Sequence, residues 1–235
     1  MKNHSCDFSP IKQLVKEELI QILNDVQQSI DSIDDENHCL LGNFARIKQH
    51  FFSIESNAAS FYLMCYLSPY TDSYLDLSVS VKNLSEKRYG ALIVIERDDP
   101  VDALIQRGTQ IGAAFTSPLL ESIFIPGSPL HDGAVVIKRN QIVSAANVLP
   151  LSNAHAGPQK LGTRHRAAIG LSERSDALVL VISEETGKAS FALHGKLYPI
   201  NAARQPLSYI APDPGIRADP VLFTDADFAE EHRHT

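Results

Sequence analysis

The sequence predicts an α/β protein: a mixed β-sheet flanked by helices, preceded by a two-helix hairpin. Three observations lead there. The N-terminal third repeats apolar residues at three- and four-residue steps, and the middle of the chain holds short, continuous, β-branched apolar runs. Of the 12 glycines, only Gly42 precedes Gly90, whereas ten fall between Gly90 and Gly195. Two kinds of structure are written in series.

In the first 70 residues, Ser9-Pro10 reads as a helix start with proline at the first helical position. Ile11, Val15, Leu19, Ile22, Val26, Ile30 and Ile33 follow at helical spacing until Asp34-Asp35-Glu36-Asn37 interrupts them. Leu40, Phe44, Ile47, Phe51, Ile54, Ala58, Phe61 and Cys65 then alternate steps of four and three, the heptad spacing, and Pro69 closes the run. Two helices with apolar seams must cover those seams, against the chain's own domain or against another copy.

Residues 71–200 are expected to form the α/β domain. Tyr74 to Lys87 is helix-compatible, and Ala91-Leu92-Ile93-Val94-Ile95 is a fully buried strand between Gly90 and a charged turn. Val101 to Ala114 and Ser117 to Ile123 read as helices. Ala134 to Ile137 is a strand, and Ile142 to Leu149 is its hairpin partner across Lys138-Arg139-Asn140. Thr163 to Glu173 is helical, while Ala177 to Ser183 and Ala189 to Leu193 are strands joined by Glu185-Thr186-Gly187-Lys188. Residues 201–235, with 4 of the 13 prolines and six acids, have no periodicity and read as a disordered or non-native tail.

A length of 235 residues suits one domain plus appendages, and a net charge of −7 with 21% charged residues argues against a general nucleic-acid coat. It leaves room for an anion held by a local basic cluster. Cys6, Cys39 and Cys65 show no CxxC pairing and read as free thiols in a reducing compartment. There is no signal-peptide pattern and no apolar run of about 18 residues. The expectation is a cytoplasmic protein with no membrane partner.

Three segments combine turn formers with reactive side chains. Ser128-Pro129-Leu130-His131-Asp132-Gly133-Ala134 leads into a strand, where a carboxylate beside a glycine at the strand mouth can ligate a metal or accept a proton. On local pattern the same residues are also a plain Asp-Gly turn. Gly162-Thr163-Arg164-His165-Arg166 opens a helix. Cations are electrostatically misplaced there unless an anion of several charges, such as a triphosphate, sits on the helix N-terminus. The alternative is solvated arginines on an exposed turn. Ser183-Glu184-Glu185-Thr186-Gly187 ends an apolar strand and is either solvated turn chemistry or a further metal ligand. His155, in a loop, and His194, after a strand, read as surface or structural residues. There is no GxxxxGK[ST], GxGxxG, GxSxG or HExxH pattern, so Walker, Rossmann, hydrolase-elbow and zincin sites are unsupported.

Taken in order, GALIVIER (Gly90 to Arg97), LLESIF (Leu119 to Phe124), SPLHDGAVVI (Ser128 to Ile137), LPLS (Leu149 to Ser152), GTRHRAAIGLSE (Gly162 to Glu173) and SEETG (Ser183 to Gly187) closely resemble the diadenylate cyclase domain, with its Asp-Gly-Ala and Arg-His-Arg motifs intact. The resemblance implies an enzyme, a nucleotidyltransferase that condenses two ATP into cyclic di-AMP and two pyrophosphates across a face-to-face dimer. It implies catalytic roles for Asp132, Gly133, Arg164, His165 and Arg166, and nucleotide contacts from Leu130, Leu149, Thr163 and Ser183. It also implies a Mg²⁺ or Mn²⁺ ion at Asp132, with His131 and Glu184 in the metal shell. Val148 stands where several relatives have an aromatic residue.

The soluble two-helix front resembles the sporulation-associated branch. This implies a higher homo-oligomer, a hexamer through the helices, and a restraint on cyclisation; neither a membrane nor DNA is an expected partner. The competing reading is a non-catalytic sensor of ATP or cyclic di-AMP. A third, a structural oligomer, leaves Arg164 and Arg166 unexplained.

Overall fold

The computed structural model describes residues 9–33, 40–153 and 161–202. Twelve elements follow in chain order: α1 (Ser9–Asp31), α2 (Leu40–Leu67), α3 (Tyr74–Lys87), β1 (Ala91–Glu96), β2 (Thr109–Ala114), α4 (Ser117–Ile123), β3 (Ala134–Lys138), β4 (Gln141–Asn147), α5 (Thr163–Ser172), β5 (Leu178–Ile182), β6 (Ala189–Leu193) and β7 (Lys196–Ile200). The strands form a seven-stranded mixed sheet in the order β2-β4-β3-β1-β5-β6-β7, in which β1 and β3 are parallel and the other neighbours antiparallel.

The central strands are apolar on both sides because both faces are covered. Every residue of β1, β5 and β6 is buried. One face packs Ile93, Ile95, Leu178 and Leu180 against α2, α3 and α4, and the other packs Val94, Val179 and Val181 against α5. The last turns of α2 belong to this core: Ala59, Leu63 and Leu67 point into the first cluster.

Glycine decides how α5 is covered. A Cβ at Gly170 would lie 2.3 Å from the Pro150 carbonyl oxygen and 2.5 Å from the Ser152 nitrogen. The segment 149–152 therefore crosses the helix in direct backbone contact. It is clamped there by Ser152 N–H donating to the Arg166 carbonyl at 3.0 Å and Ser152 Oγ–H donating to Glu173 Oε1 at 2.6 Å.

Two element assignments are corrected. Val101 to Ala114 is not a helix but a turn, in which Leu104 N–H donates to the Val101 carbonyl, followed by the edge strand β2. Val101 is fully buried against the α5-side cluster with Leu104 and Ile105 beside it, so a loop tucking three apolar residues inward mimics helical spacing. Strand β7 went unread because Pro199 interrupts its pattern; proline is tolerated because β7 is an edge strand.

The hairpin forms, but its seam is more polar than the heptad spacing implies. Asp25, Ser29, Asn43 and Asn57 are buried, with Asp25 paired to His50 at 2.9 Å and Asn57 Nδ2 donating to Glu18 at 3.2 Å. Leu23, Ile30, Phe44 and Phe51 remain 55–65% exposed, so the single chain does not cover the apolar stripe.

The reading of three free thiols is also corrected. Cys65 is disulfide-bonded. Separation along the chain was a poor guide, because distance in sequence does not set distance in the fold. Cys6, Cys39, the break at 34–37, His155 and the tail from 203 lie outside the described residues.

The Gly170 contact generates a direct expectation. Gly170→Ala forces backbone apart from backbone, and should lower stability by about 2–4 kcal/mol, read as a lower urea midpoint. An unchanged midpoint would show that segment 149–152 is not held against the helix.

Candidate functional site

Strand register assembles the site. In the parallel pair, Ile93 aligns with Val135, so the register carried back three residues sets Gly90 beside Asp132. In the antiparallel pair, Ala91 aligns with Ile182, so Gly90 also faces Ser183 on its other side. With strands about 4.8 Å apart, Asp132, Gly90 and Ser183 span roughly 10 Å of one sheet edge. The end of β4 arrives at the same edge, since Ala134 aligns with Asn147.

This is the edge where β1 and β3 begin, opposite to the carboxyl-end rule for open parallel sheets. The other edge is closed. Buried Glu96 pairs with Lys138 and accepts from the Val101 N–H at 3.3 Å, while Asp176 accepts from the Asp98 and Asp99 N–H groups at 3.1 Å each.

The basic segment reaches the open edge from above. Gly162, extended at φ −65° and ψ 162°, caps α5 with no side-chain hydrogen bond, so Thr163, Arg164 and His165 form the first turn. The Arg164 guanidinium lies on Gly90: a Cβ there would be 2.4 Å from Nη1 and 2.6 Å from Cζ. Arg164 Nη1 donates to Glu184 Oε2 at 2.8 Å, so the third segment meets the second. Arg166 instead donates through Nε and Nη2 to the Ser152 carbonyl at 3.3 and 3.2 Å, and anchors the segment over α5.

His165 is not a third cation at neutral pH. Burial pushes its pKa below the usual histidine value, and the Glu185 carboxylate offsets only part of that effect. The Arg-His-Arg triplet thus carries two charges beside a neutral imidazole.

Asp132 is exposed at the mouth of β3. Gly133 follows at φ +113°, and a Cβ there would approach Ala146 C and Asn147 O at 2.8 Å, so glycine is required by conformation and by space. Asn147, fully buried, fixes this corner: its Nδ2 donates to the Ala134 carbonyl at 2.8 Å, and its Oδ1 accepts from Gly108 N–H and Ser144 Oγ at 3.0 Å each. Sequence reading missed Asn147 as a positioning residue, and took Gly90 only as a strand boundary. A glycine directly before a buried strand was the available signal.

The remaining expected residues divide. His131 places its Nδ1 against the Ser128 carbonyl within its own turn. Leu130 packs partly buried on the α3–α4 side of the sheet, whereas Leu149 is buried on the α5 side. Val148, next to Leu149, is 58% exposed. Among the described residues no three His, Cys, Asp or Glu side chains cluster as a metal site. A single exposed carboxylate does fit a magnesium-type ion that takes most of its other oxygens from substrate phosphates and water.

The His165 environment can be read by NMR. Because the folded pKa lies below the unfolded one, the folded state binds fewer protons as pH falls below about 6.5, and that histidine's contribution to stability declines there. Its ring resonance should titrate below 6.5, and Glu185→Gln should move the midpoint lower still. A midpoint at or above 6.5, or no response to Glu185→Gln, would contradict the buried-imidazole assignment.

With the geometry fixed, the known proteins that share it are informative. The family described as DisA bacterial checkpoint controller nucleotide-binding matches residues 78–197, and the diadenylate cyclase CdaS N-terminal family matches residues 2–70. Diadenylate cyclase CdaS of Bacillus thuringiensis is 54% identical over 171 residues, covering 73% of this chain and 85% of that protein. Cyclic di-AMP synthase CdaS of Bacillus subtilis is 46% identical over 204 residues, covering 87% and 98%. A solved structure from Bacillus cereus, described as a hypothetical membrane spanning protein, superposes with a TM-score of 0.69 at 49% identity, covering 82% of this chain and 94% of that one. Among the described residues here, no helix is long and apolar enough to cross a membrane. Matches to both the catalytic and the N-terminal models, with the two motifs meeting at one sheet edge, show that the chain belongs to the diadenylate cyclase family and is an enzyme of the nucleotidyltransferase class.

Proposed function

We propose that this chain makes cyclic di-AMP from two ATP, releasing two pyrophosphates, with one nucleotide held by each of two subunits whose open edges face each other. The observation that carries the reading is the convergence of Asp132-Gly133, Gly90 with the Arg164 guanidinium upon it, and Ser183-Glu184 on one edge. The product is two-fold symmetric, so two identical edges related by a two-fold axis place each 3′-hydroxyl at the other nucleotide's α-phosphate.

In each half-reaction the 3′-oxygen forms a bond to the α-phosphorus while the bond to the β-phosphate bridging oxygen breaks. Asp132, exposed where the strand begins, accepts the hydroxyl proton. The N–H groups of Thr163 and Arg164 and the Arg164 guanidinium hold the phosphates and offset charge on the leaving pyrophosphate. A phosphate arriving there competes with Glu184 for Arg164. His165 acts as a neutral hydrogen-bonding group, and Arg166 acts through Ser152 by holding segment 149–152. Ser183 lies within reach of the nucleotide on the far side of Gly90, and Leu130 and Val148 offer apolar surface for the base. Mg²⁺ or Mn²⁺, held by Asp132 with the triphosphate, would supply Lewis-acid polarisation of the phosphate.

The exposed stripe of Leu23, Ile30, Phe44 and Phe51 supports a homo-oligomer built through the hairpin, since a patch of this kind on a soluble chain marks an association surface.

Incubation with ATP and Mn²⁺ or Mg²⁺ should yield cyclic di-AMP, and Asp132→Asn should lose about 10²–10⁴-fold in rate with nucleotide binding retained. ATP binding without product under either metal would favour a sensor instead. Gly90→Ala meets only the end of a flexible side chain, so the fold should survive; displacing the guanidinium should cost about tenfold or more in kcat/KM. Full activity of that variant would remove Arg164 from the site.

A further inference from the structure

The turn that joins β5 to β6 is held from both faces of the sheet. Its base is set by the ladder, where Ile182 aligns with Ala189. Within it, Gly187 N–H donates to the Ser183 carbonyl at 2.8 Å, Ser183 N–H donates to the Lys188 carbonyl at 2.9 Å, and Thr186 N–H donates to Ser183 Oγ at 3.3 Å. The Ser183 hydroxyl, already accepting within the turn, keeps its proton to donate outward. Glu184 and Thr186 are exposed at the tip, whereas Gly187 is buried. On the α5 face, Glu184 accepts from Arg164 at 2.8 Å. On the α3 face, Ser85 Oγ–H donates to the Gly187 carbonyl at 2.6 Å. A Cβ at Gly187, where φ is +71°, would lie 2.7 Å from the Ser85 carbonyl oxygen, so the turn rests directly on the helix end.

We propose that Ser85 is a positioning residue for the nucleotide: it holds the 183–188 turn in place while a phosphate draws Arg164 away from Glu184. This rests on the reading of the open edge as the site of ATP. The end of α3 suits the task. Leu84 is fully buried in the core, and Arg88 and Tyr89 donate their N–H groups to the Ser85 and Leu84 carbonyls at 3.1 and 2.9 Å, so the helix end is fixed without help from the turn. Gly90, under the Arg164 guanidinium, follows two residues after Arg88. One corner of the fold thus carries both partners of the Arg164–Glu184 pair.

Substrate breaks that pair and with it the tether on the α5 face. The tether on the α3 face uses a hydroxyl and a backbone carbonyl, neither of which carries a charge that phosphate would displace, and it persists in the occupied site. Without Ser85 the turn keeps its internal hydrogen bonds but tilts about its base, and Ser183 moves off the nucleotide. The loss falls on binding more than on the chemical step.

The test compares Ser85→Ala, Ser85→Thr and Ser80→Ala in the full chain. Ser80 is the control, because its buried hydroxyl donates to the Asp76 carbonyl at 2.9 Å within the same helix. Ser85→Ala should raise the Kd for 3′-deoxy-ATP, which lacks the attacking hydroxyl, and the KM for ATP about two- to tenfold, with kcat changed by less than about twofold. Ser85→Thr keeps the hydroxyl and should restore both constants, and Ser80→Ala should leave both unchanged. An unaltered Kd in Ser85→Ala, no recovery in Ser85→Thr, or an equal rise in Ser80→Ala would overturn the proposal. A wild type that binds the analogue but forms no cyclic di-AMP would fail the cyclase reading alone, and the three affinities would still decide the role of Ser85.

Discussion

The pairing of β1 with β3 on one side and β5 on the other is the constraint on which the site depends. All three strands are buried on both faces, and a one-residue slip in either ladder would exchange the side chains packed against α5 with those packed against α3. The apolar core thereby fixes the register, and the register fixes which residues precede and follow the strands at the edge. Asp132, Gly90 and Ser183 share an edge because Ile93, Val135 and Leu180 share a core. Polar contacts then refine what the register assembles: the Asn147 amide fixes the corner at Gly133, and Glu184 pairs with Arg164.

Glycine supplies the second layer of control. Gly133 lets the chain turn beside Ala146, Gly90 admits the Arg164 guanidinium, and Gly170 admits the backbone that Arg166 then grips. Of the ten glycines between Gly90 and Gly195, Gly90 and Gly133 thus shape the edge itself, while Gly170 seats the segment over α5. The two arginines of a single motif end in different tasks: Arg164 faces the edge, and Arg166 holds the scaffold.

Much of this was legible in residues. Continuous β-branched runs gave β1, β3 and β5, heptad spacing gave α2, and Gly162-Thr163 marked the start of α5. Failures occurred where tertiary context overrides local pattern. Val101, Leu104 and Ile105 are apolar because a loop is tucked inward, not because a helix presents a face. Pro199 hides an edge strand. Asn147 reads as an ordinary polar residue until its buried amide is seen to join three backbone segments. That His165 is held neutral, and that Arg164 has an internal carboxylate partner, are properties of burial and approach that spacing does not encode.

Under the proposed homo-oligomer, the uncovered stripe on the hairpin would couple folding to concentration. If another copy covers Phe44 and Phe51, part of the apolar burial that stabilises each chain is supplied by its neighbours, and the free energy of unfolding contains a mass-action term. Dilution then acts as a mild denaturant. It acts first on the hairpin, whose seam is polar, and last on the sheet, whose core is complete within one chain. The candidate edge and the hairpin would then differ in what holds them: the former is intrinsic to the polypeptide, and the latter would be set by how much of it is present.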